Sequence, residues 1–260
     1  MADEGSPAAE MLTFYAALAD VQRSLLSGSA GPRNRAGTFV DAVDLDSAVA
    51  AVPGFLDWLA RAAPPPLAGP AIGADRRAGG DWNDLMRERL AGDRADAEES
   101  EIVRTFVIEA VLQPFAEEAA TARRDDAPGR GPDSSRLGAL AARCPICGGL
   151  PAVASLREEG QGSKRTLVCA LCFTEWDYVR VRCASCGEER SDALPIFTAD
   201  AALPHARIDG CDTCQTYLKT IDLTKNGLAV PLVDDLASVA LDLWARERGY
   251  CRLRANLLRL

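Results

Sequence analysis

The chain reads Cys144-Pro-Ile-Cys147, Cys169-Ala-Leu-Cys172, Cys183-Ala-Ser-Cys186 and Cys211-Asp-Thr-Cys214 across residues 144–214. These four Cys-x-x-Cys pairs use eight of the nine cysteines in the protein. Two cysteines at this spacing can turn both sulfurs toward one point, and two such pairs complete a tetrahedral four-sulfur site. Four pairs in one block therefore predict two tetrathiolate metal sites, whereas a disulfide framework is typical of small secreted domains.

An internal repeat within this block predicts which pairs share a metal. Each half opens with Arg-Cys-x-x-Cys-Gly, at residues 143–148 and 182–187. Each Cys-x-x-Cys pair is called a knuckle below. The two knuckles are separated by 21 residues in the first half and 24 in the second, and 10 residues separate the halves. We predict a first site of Cys144, Cys147, Cys169 and Cys172, and a second site of Cys183, Cys186, Cys211 and Cys214. A cross-braced arrangement, with the first and third pairs on one metal, stays open as the alternative.

Each half predicts a small rubredoxin-like or zinc-ribbon β module. The glycines after Cys147 and Cys186 suit tight turns that aim backbone N–H groups at sulfur. Neither module is long enough to hold a core without its metal. Iron and zinc both accept four thiolates in a tetrahedron, so the ligands alone make zinc the default choice and leave iron open.

The amino-acid composition limits the number of domains and the kinds of partner that the protein can have. The chain has 260 residues with 48% apolar content and a net charge of −9, enough for one large or two medium domains. Residues 1–122 hold 10 basic and 20 acidic side chains, whereas residues 143–225 hold 10 and 11. Zinc ribbons that bind nucleic acid usually sit in a basic field, so the near-neutral cysteine block makes nucleic acid an unfavoured partner.

The N-terminal residues and the hydropathy pattern indicate the compartment. The segment Met1–Ser6 is acidic and lacks the apolar stretch of a signal peptide. No apolar run approaches the length that spans a bilayer, so we expect no membrane insertion. A cytoplasmic location is therefore expected, in which the thiols stay reduced and available to metal.

Outside the cysteine block, apolar residues recur every three or four positions, which predicts helices. The predicted helices cover residues 8–27, 45–62, 81–91, 97–121 and 231–249. Pro53 is expected to begin or kink its helix and Pro114 to bend or break its own. Residues 122–135 combine proline, glycine and mixed charge, which is typical of a linker.

The predicted fold class is α+β, with an N-terminal helical bundle followed by two tandem rubredoxin-like or zinc-ribbon four-cysteine modules and a C-terminal helix. The predicted divisions are a helical domain over 1–122, a linker over 123–142, a first ribbon over 143–181, a second ribbon over 182–225, and a C-terminal helix and tail over 226–260.

The remaining reactive side chains do not predict an enzyme. His205 is the only histidine, and we expect a loop or surface residue there because eight thiolates already complete two sites. Cys251 is the ninth cysteine and is expected to be a partly buried small apolar residue. The sequence shows no Ser/His/Asp set and no glycine-rich phosphate loop, so we predict no catalytic and no cofactor-binding residue beyond the cysteines.

Several motifs resemble one known family, the formate dehydrogenase accessory (formation) proteins of the FdhE type. The similar segments are Cys144-Pro-Ile-Cys-Gly-Gly149, Arg182-Cys-Ala-Ser-Cys-Gly-Glu188, Cys211-Asp-Thr-Cys-Gln-Thr-Tyr-Leu-Lys219, residues 233–244 and, less specifically, residues 14–20. The resemblance therefore spans most of the chain.

The resemblance implies a cytoplasmic maturation factor that binds the catalytic subunit of respiratory formate dehydrogenase and is needed to form the active enzyme. It also implies two rubredoxin-like iron sites at the eight paired cysteines, with zinc as the alternative metal. A homodimer stays open. The competing functions are a rubredoxin-like electron-transfer protein and a zinc-ribbon nucleic-acid-binding protein.

Overall fold

The structure is a computed structural model that describes residues 7–33, 37–65, 67–69, 82–92, 102–125, 142–198 and 203–258. The chain divides into two compact units, Met1–Pro128 and Gly129–Leu260. The predicted α+β class is confirmed, because helices form the first unit and the two four-cysteine clusters lie in the second.

The first unit is helical. Its helices are α1 (Pro7–Leu25), α2 (Phe39–Ala42), α3 (Leu45–Ala62), α4 (Trp82–Ala91) and α5 (Ile102–Asp125). Helix α5 contacts the four others. Its segment 106–112 is buried, and every residue in it except Glu109 is apolar. Glu109 forms an ion pair with Arg89 at 3.0 Å. A helix that is apolar on every side belongs at the centre of a bundle.

The two internal prolines do not end their helices. Pro53 lies inside α3 and Pro114 inside α5, so neither proline breaks its helix, and a bend at Pro114 stays a prediction. A proline removes one helical hydrogen bond at a cost of about 3 kcal/mol. The flanking side chains offset this cost, because Val52, Phe55 and Phe115 are almost fully buried in the bundle.

The second unit is built on one seven-stranded sheet. Its strands are β1 (Pro151–Glu159), β2 (Gly162–Cys169), β3 (Glu175–Tyr178), β4 (Ile196–Thr198), β5 (Ala206–Cys211), β6 (Thr216–Asp222) and β7 (Cys251–Arg252). The order is β3-β2-β1-β6-β5-β4, with β7 on β6. Neighbours within each half pair antiparallel, whereas β1 and β6 pair parallel and join the halves. The two tandem modules therefore share a single sheet.

The predicted C-terminal helix is two shorter helices, α6 (Pro231–Ala237) and α7 (Val239–Glu247). They meet at Ser238, whose hydroxyl donates to the carbonyl of Asp234 at 2.7 Å. A serine bonded to the preceding turn competes with the helical pattern, which accounts for the division. An apolar cluster that includes Val153, Ile208 and Leu241 fills the space between sheet and helices.

The predicted linker is only partly described. Helix α5 continues to Asp125, past the predicted domain end at residue 122. Residues 126–141 lie outside the described part of the chain, and the description resumes at Ala142, whose N–H donates to the carbonyl of Ala184 at 2.7 Å. The five-part division of the chain stays a prediction.

A buried ion network ties the two C-terminal helices to the sheet. Lys219 on β6 is fully buried and reaches Asp242 at 2.6 Å and Asp235 at 3.1 Å. Arg252 on β7 contacts the same two carboxylates, Asp242 at 2.9 Å and Asp235 at 2.5 Å. Burial alone would raise the pKa of Asp235, but the charges of Arg252 and Lys219 outweigh it and hold that pKa below its usual value. Two cations and two anions thus neutralise each other within the fold.

We predict that Lys219→Met destabilises the metal-loaded protein by about 3 kcal/mol, because it leaves two buried carboxylates with one cation. Lys225→Met is the control, since Lys225 is exposed and its side-chain ammonium donates to the carbonyl of Pro204. It should change stability by less than about 0.5 kcal/mol. Urea unfolding followed by circular dichroism measures both, and equal losses in the two variants would contradict the role of the network.

Candidate metal centres

The first centre brings together the sulfurs of the first and second knuckles. The Sγ atoms of Cys144, Cys147, Cys169 and Cys172 all lie within 4.8 Å of one another. Cys147 is 3.4 Å from both Cys169 and Cys172, and Cys144 is 3.6 Å from Cys172. A disulfide would need about 2.05 Å, whereas a tetrahedron with metal–sulfur bonds of about 2.3 Å separates its sulfurs by about 3.8 Å. The spacing therefore fits a tetrahedral metal site.

The second centre gathers the third and fourth knuckles in the same way. The Sγ atoms of Cys183, Cys186, Cys211 and Cys214 again lie within 4.8 Å. The contacts Cys183–Cys214 and Cys186–Cys211 both measure 3.7 Å. The structure thus groups the cysteines as the repeat predicts and not in the cross-braced alternative. That these sulfurs ligate metal stays a prediction.

The first knuckle of each half has the same backbone geometry. The backbone N–H of the first cysteine donates to a backbone carbonyl across the turn at 2.8 Å. Cys144 donates to Gly149 in this way, and Cys183 donates to Glu188. The glycine that follows the second cysteine has a positive φ, 76° at Gly148 and 80° at Gly187. Only glycine adopts this conformation without strain, which explains its place in both copies.

Backbone N–H groups point at three of the sulfurs. Gly149 donates to Cys147 at 3.4 Å, Leu171 to Cys169 at 3.4 Å, and Ser185 to Cys183 at 3.3 Å. Such bonds stabilise thiolate charge and fix the direction of the sulfur lone pairs. A side chain at position 149 would bring its Cβ to 3.3 Å from two of these sulfurs, which is tighter than an ordinary contact and favours glycine there.

The second knuckle of each half contains a strained residue that the sequence analysis missed. Phe173 and Gln215 come directly after Cys172 and Cys214, and both have a positive φ, 53° and 54°. Non-glycine residues seldom adopt this left-handed conformation. Because the same conformation occurs at the same position of both copies, we infer that it is needed to turn the sulfur of the last cysteine, Cys172 or Cys214, toward its cluster. The sequence did contain a signal for this strain, because Phe173 and Gln215 occupy the same position in the two copies of the repeat.

The electrostatics of the clusters call for a cation. Burial raises the pKa of Cys183 and of Cys186, and neighbouring thiolates add to the shift at Cys183. Four thiols packed this closely cannot all ionise unless a positive charge lies between them. Four converging soft donors in a tetrahedral spacing fit one zinc or one iron ion per cluster.

The two clusters differ in exposure. Cys144, Cys169 and Cys172 are buried in the first cluster, where the hydroxyl of Thr174 also lies 3.2 Å from the sulfur of Cys172. In the second cluster, Cys186 and Cys214 are only partly buried. Solvent access and hydrogen bonds to sulfur set the reduction potential of an iron–thiolate centre. The second cluster is therefore more accessible to a partner or a redox reagent.

The structure corrects two expectations about single residues. His205 lies in the turn before β5 but is only 7% exposed, and its Nε2 is 2.7 Å from Asp234. The expected loop position is confirmed, but the residue is buried and not at the surface, because this hydrogen bond satisfies the ring inside the fold. Cys251 is exposed on β7, so the expected partial burial is wrong as well. Neither residue belongs to a cysteine cluster.

The sequence predicts no segment that inserts into a membrane, and the length and polarity of the helices test this expectation. Within the described ranges, every helix is too short or too polar to cross a bilayer.

Two family models match the cysteine block and the C-terminal segment beyond it. Residues 143–180 match "FdhE, central domain", and residues 181–259 match "FdhE, C-terminal domain". These two ranges contain all eight clustered cysteines and the sheet that carries them.

Individual relatives agree with these matches. The chain is 43% identical to "Protein FdhE homolog" of Aquifex aeolicus over 117 residues, which cover 44% of this chain and 41% of that protein. It is 36% identical to "Protein FdhE" of Escherichia coli over 113 residues, which cover 44% of this chain and 36% of that one. The sequence match therefore spans less than half the length of these curated relatives.

A solved structure extends the likeness to nearly the full chain. The crystal structure of the FdhE protein from Pseudomonas aeruginosa superposes with a TM-score of 0.58 at 26% identity, covering 98% of this chain and 91% of that one. The predicted resemblance is thus confirmed, because residues 143–180 and 181–259 match the central and C-terminal domains of the FdhE family.

Proposed function

We propose that this protein is an accessory factor that binds the catalytic subunit of respiratory formate dehydrogenase in the cytoplasm and is needed to form the active enzyme. The observation that carries the proposal is the pair of four-sulfur clusters inside FdhE central and C-terminal domains. The partner and the maturation role come from the resemblance to formate dehydrogenase accessory proteins.

The proposed ligands are the eight clustered cysteines, with one metal ion in each cluster. Rubredoxin-like iron is the metal that the resemblance favours, and zinc fits the same donors. Bound iron would supply a one-electron couple, whereas zinc would supply structure alone. The protein itself holds the sulfurs in place through N–H donors such as those of Gly149 and Ser185.

The proposed role is non-enzymatic. A cluster of four thiolates completes the coordination of a tetrahedral ion and leaves no open position for substrate. His205, the natural acid–base candidate, is bonded to Asp234 and belongs to neither cluster. These arrangements suit a binding surface that is stiffened by metal better than a site for chemistry on a substrate.

An electron-transfer protein is the second candidate, and the partial exposure of Cys186 and Cys214 favours it. Iron near the surface can exchange electrons with a partner, whereas buried iron does so slowly. Reversible bleaching of a red iron-loaded protein by a physiological electron donor would support this candidate. A colourless zinc protein would exclude it.

We predict two metal equivalents per chain in anaerobically purified protein. Cys147→Ala and Cys186→Ala should each reduce the content to one, because each removes one ligand from a different cluster. Cys251→Ala is the matched control and should keep two, since Cys251 is exposed and outside both clusters. Native mass spectrometry and elemental analysis give the count and the metal. A wild-type chain with one ion or none would contradict the proposal.

We predict that immobilised wild-type protein retains the purified catalytic subunit of formate dehydrogenase. The double variant Cys147→Ala/Cys186→Ala should bind at least about tenfold more weakly, because loss of metal loosens both modules. Cys251→Ala should bind as the wild type does. Retention of an unrelated protein or of RNA, without retention of the catalytic subunit, would reject the proposed function.

A further inference from the structure

A small crevice adjoins the second cysteine cluster. It is lined by the segment 180–185, which includes Cys183, and by residues of β4, β5 and β6, and it measures about 70 Å³. Arg207 and Asp209 on β5 line it, whereas Ile208 between them belongs to the core. Because side chains alternate along a strand, the crevice opens on the sheet face opposite that core.

The base of the crevice has an excess of positive charge. Arg165 is 4% exposed and lies 3.2 Å from Asp209, and Arg207 contacts the other oxygen of the same carboxylate at 2.9 Å. The hydroxyl of Thr220 also donates to Asp209 at 2.7 Å. Among these side chains, two guanidinium groups share one carboxylate, which is an excess of one positive charge before the thiolates of the adjoining cluster are counted.

The rim of the crevice combines another cation with exposed apolar side chains. Arg180 lines the crevice and has no ion-pair partner among the described residues. Val181 and Ile196 also line it and are 49% and 56% exposed, and the neighbouring Val179 is 47% exposed. A basic recess with an apolar rim stands out in a chain whose net charge is −9.

The size of the crevice limits what it can hold. Sites for drug-sized molecules and cofactors measure at least about 300 Å³. A space of about 70 Å³ accommodates the head of one side chain but not a nucleotide base with its sugar. The guanidinium of Arg180 at the rim selects a carboxylate, and the exposed apolar side chains select apolar residues on either side of it.

We propose that this crevice docks an extended peptide segment that carries one Asp or Glu between apolar residues. The carboxylate pairs with Arg180, and the flanking apolar side chains contact Val181 and Ile196. The assignment rests on the proposed function in one respect, because it places that segment in the catalytic subunit of formate dehydrogenase.

The test measures binding of two fluorescein-labelled peptides, Val-Leu-Glu-Leu-Val and its Gln counterpart, to the full metal-loaded chain by fluorescence anisotropy. Wild type should bind the Glu peptide about tenfold more tightly, the value of one charge-assisted contact. Arg180→Glu should remove that preference. Lys225→Glu makes the same change in net charge at an exposed position outside the crevice and should retain it.

Four outcomes would overturn the docking site. The first three are equal binding of the two peptides to wild type, equal loss in both variants, and loss of metal from Arg180→Glu, which would show that Arg180 balances thiolate charge. Tighter binding of a single-stranded RNA that depends on Arg180 would also overturn it, in favour of a phosphate ligand.

A parallel retention assay with the intact catalytic subunit separates the two proposals. If wild type and Arg180→Glu retain the subunit equally, the docking site is wrong and the proposed function stands. If wild type does not retain the subunit but shows the peptide preference, the docking site stands and the proposed function is wrong.

Discussion

The convergence of four cysteine sulfurs on one point, twice in the chain, is the constraint on which the second unit depends. Sulfurs held 3.4–3.7 Å apart cannot all carry charge unless a cation lies among them. The same approach favours glycine at position 149 and left-handed backbone at Phe173 and Gln215. Conformational strain of this kind persists only where surrounding interactions over-determine it, and metal–thiolate bonds at the two clusters would provide such interactions.

The second constraint is the parallel pairing of β1 with β6, which joins two short modules into one sheet. Neither half alone has enough apolar surface for a stable core. Joined, they present a face that α6 and α7 cover, and the buried Lys219, Asp235, Asp242 and Arg252 link this cover to the sheet. The C-terminal segment is therefore part of the metal-bearing unit and not an appended tail.

The position of Cys183 connects metal binding with the proposed docking of a partner. This residue supplies a sulfur to the second cluster and also lines the basic crevice. The segment 180–185 thus carries both features, and its backbone is held by the knuckle turn. Under the proposed function, this surface would recognise an unfinished enzyme through a short acidic segment, and the more buried first cluster would stabilise the scaffold.

The sequence by itself determined the features that local spacing encodes. These are the grouping of the eight cysteines, the glycine turns of the first knuckles, and the helices over residues 7–25, 45–62 and 82–91. Tertiary structure alone decided the β1–β6 pairing, the burial of His205, the exposure of Cys251 and the charge network around Lys219. These features depend on partners far apart in the chain, and a local pattern contains no record of which distant strand or carboxylate a residue will meet.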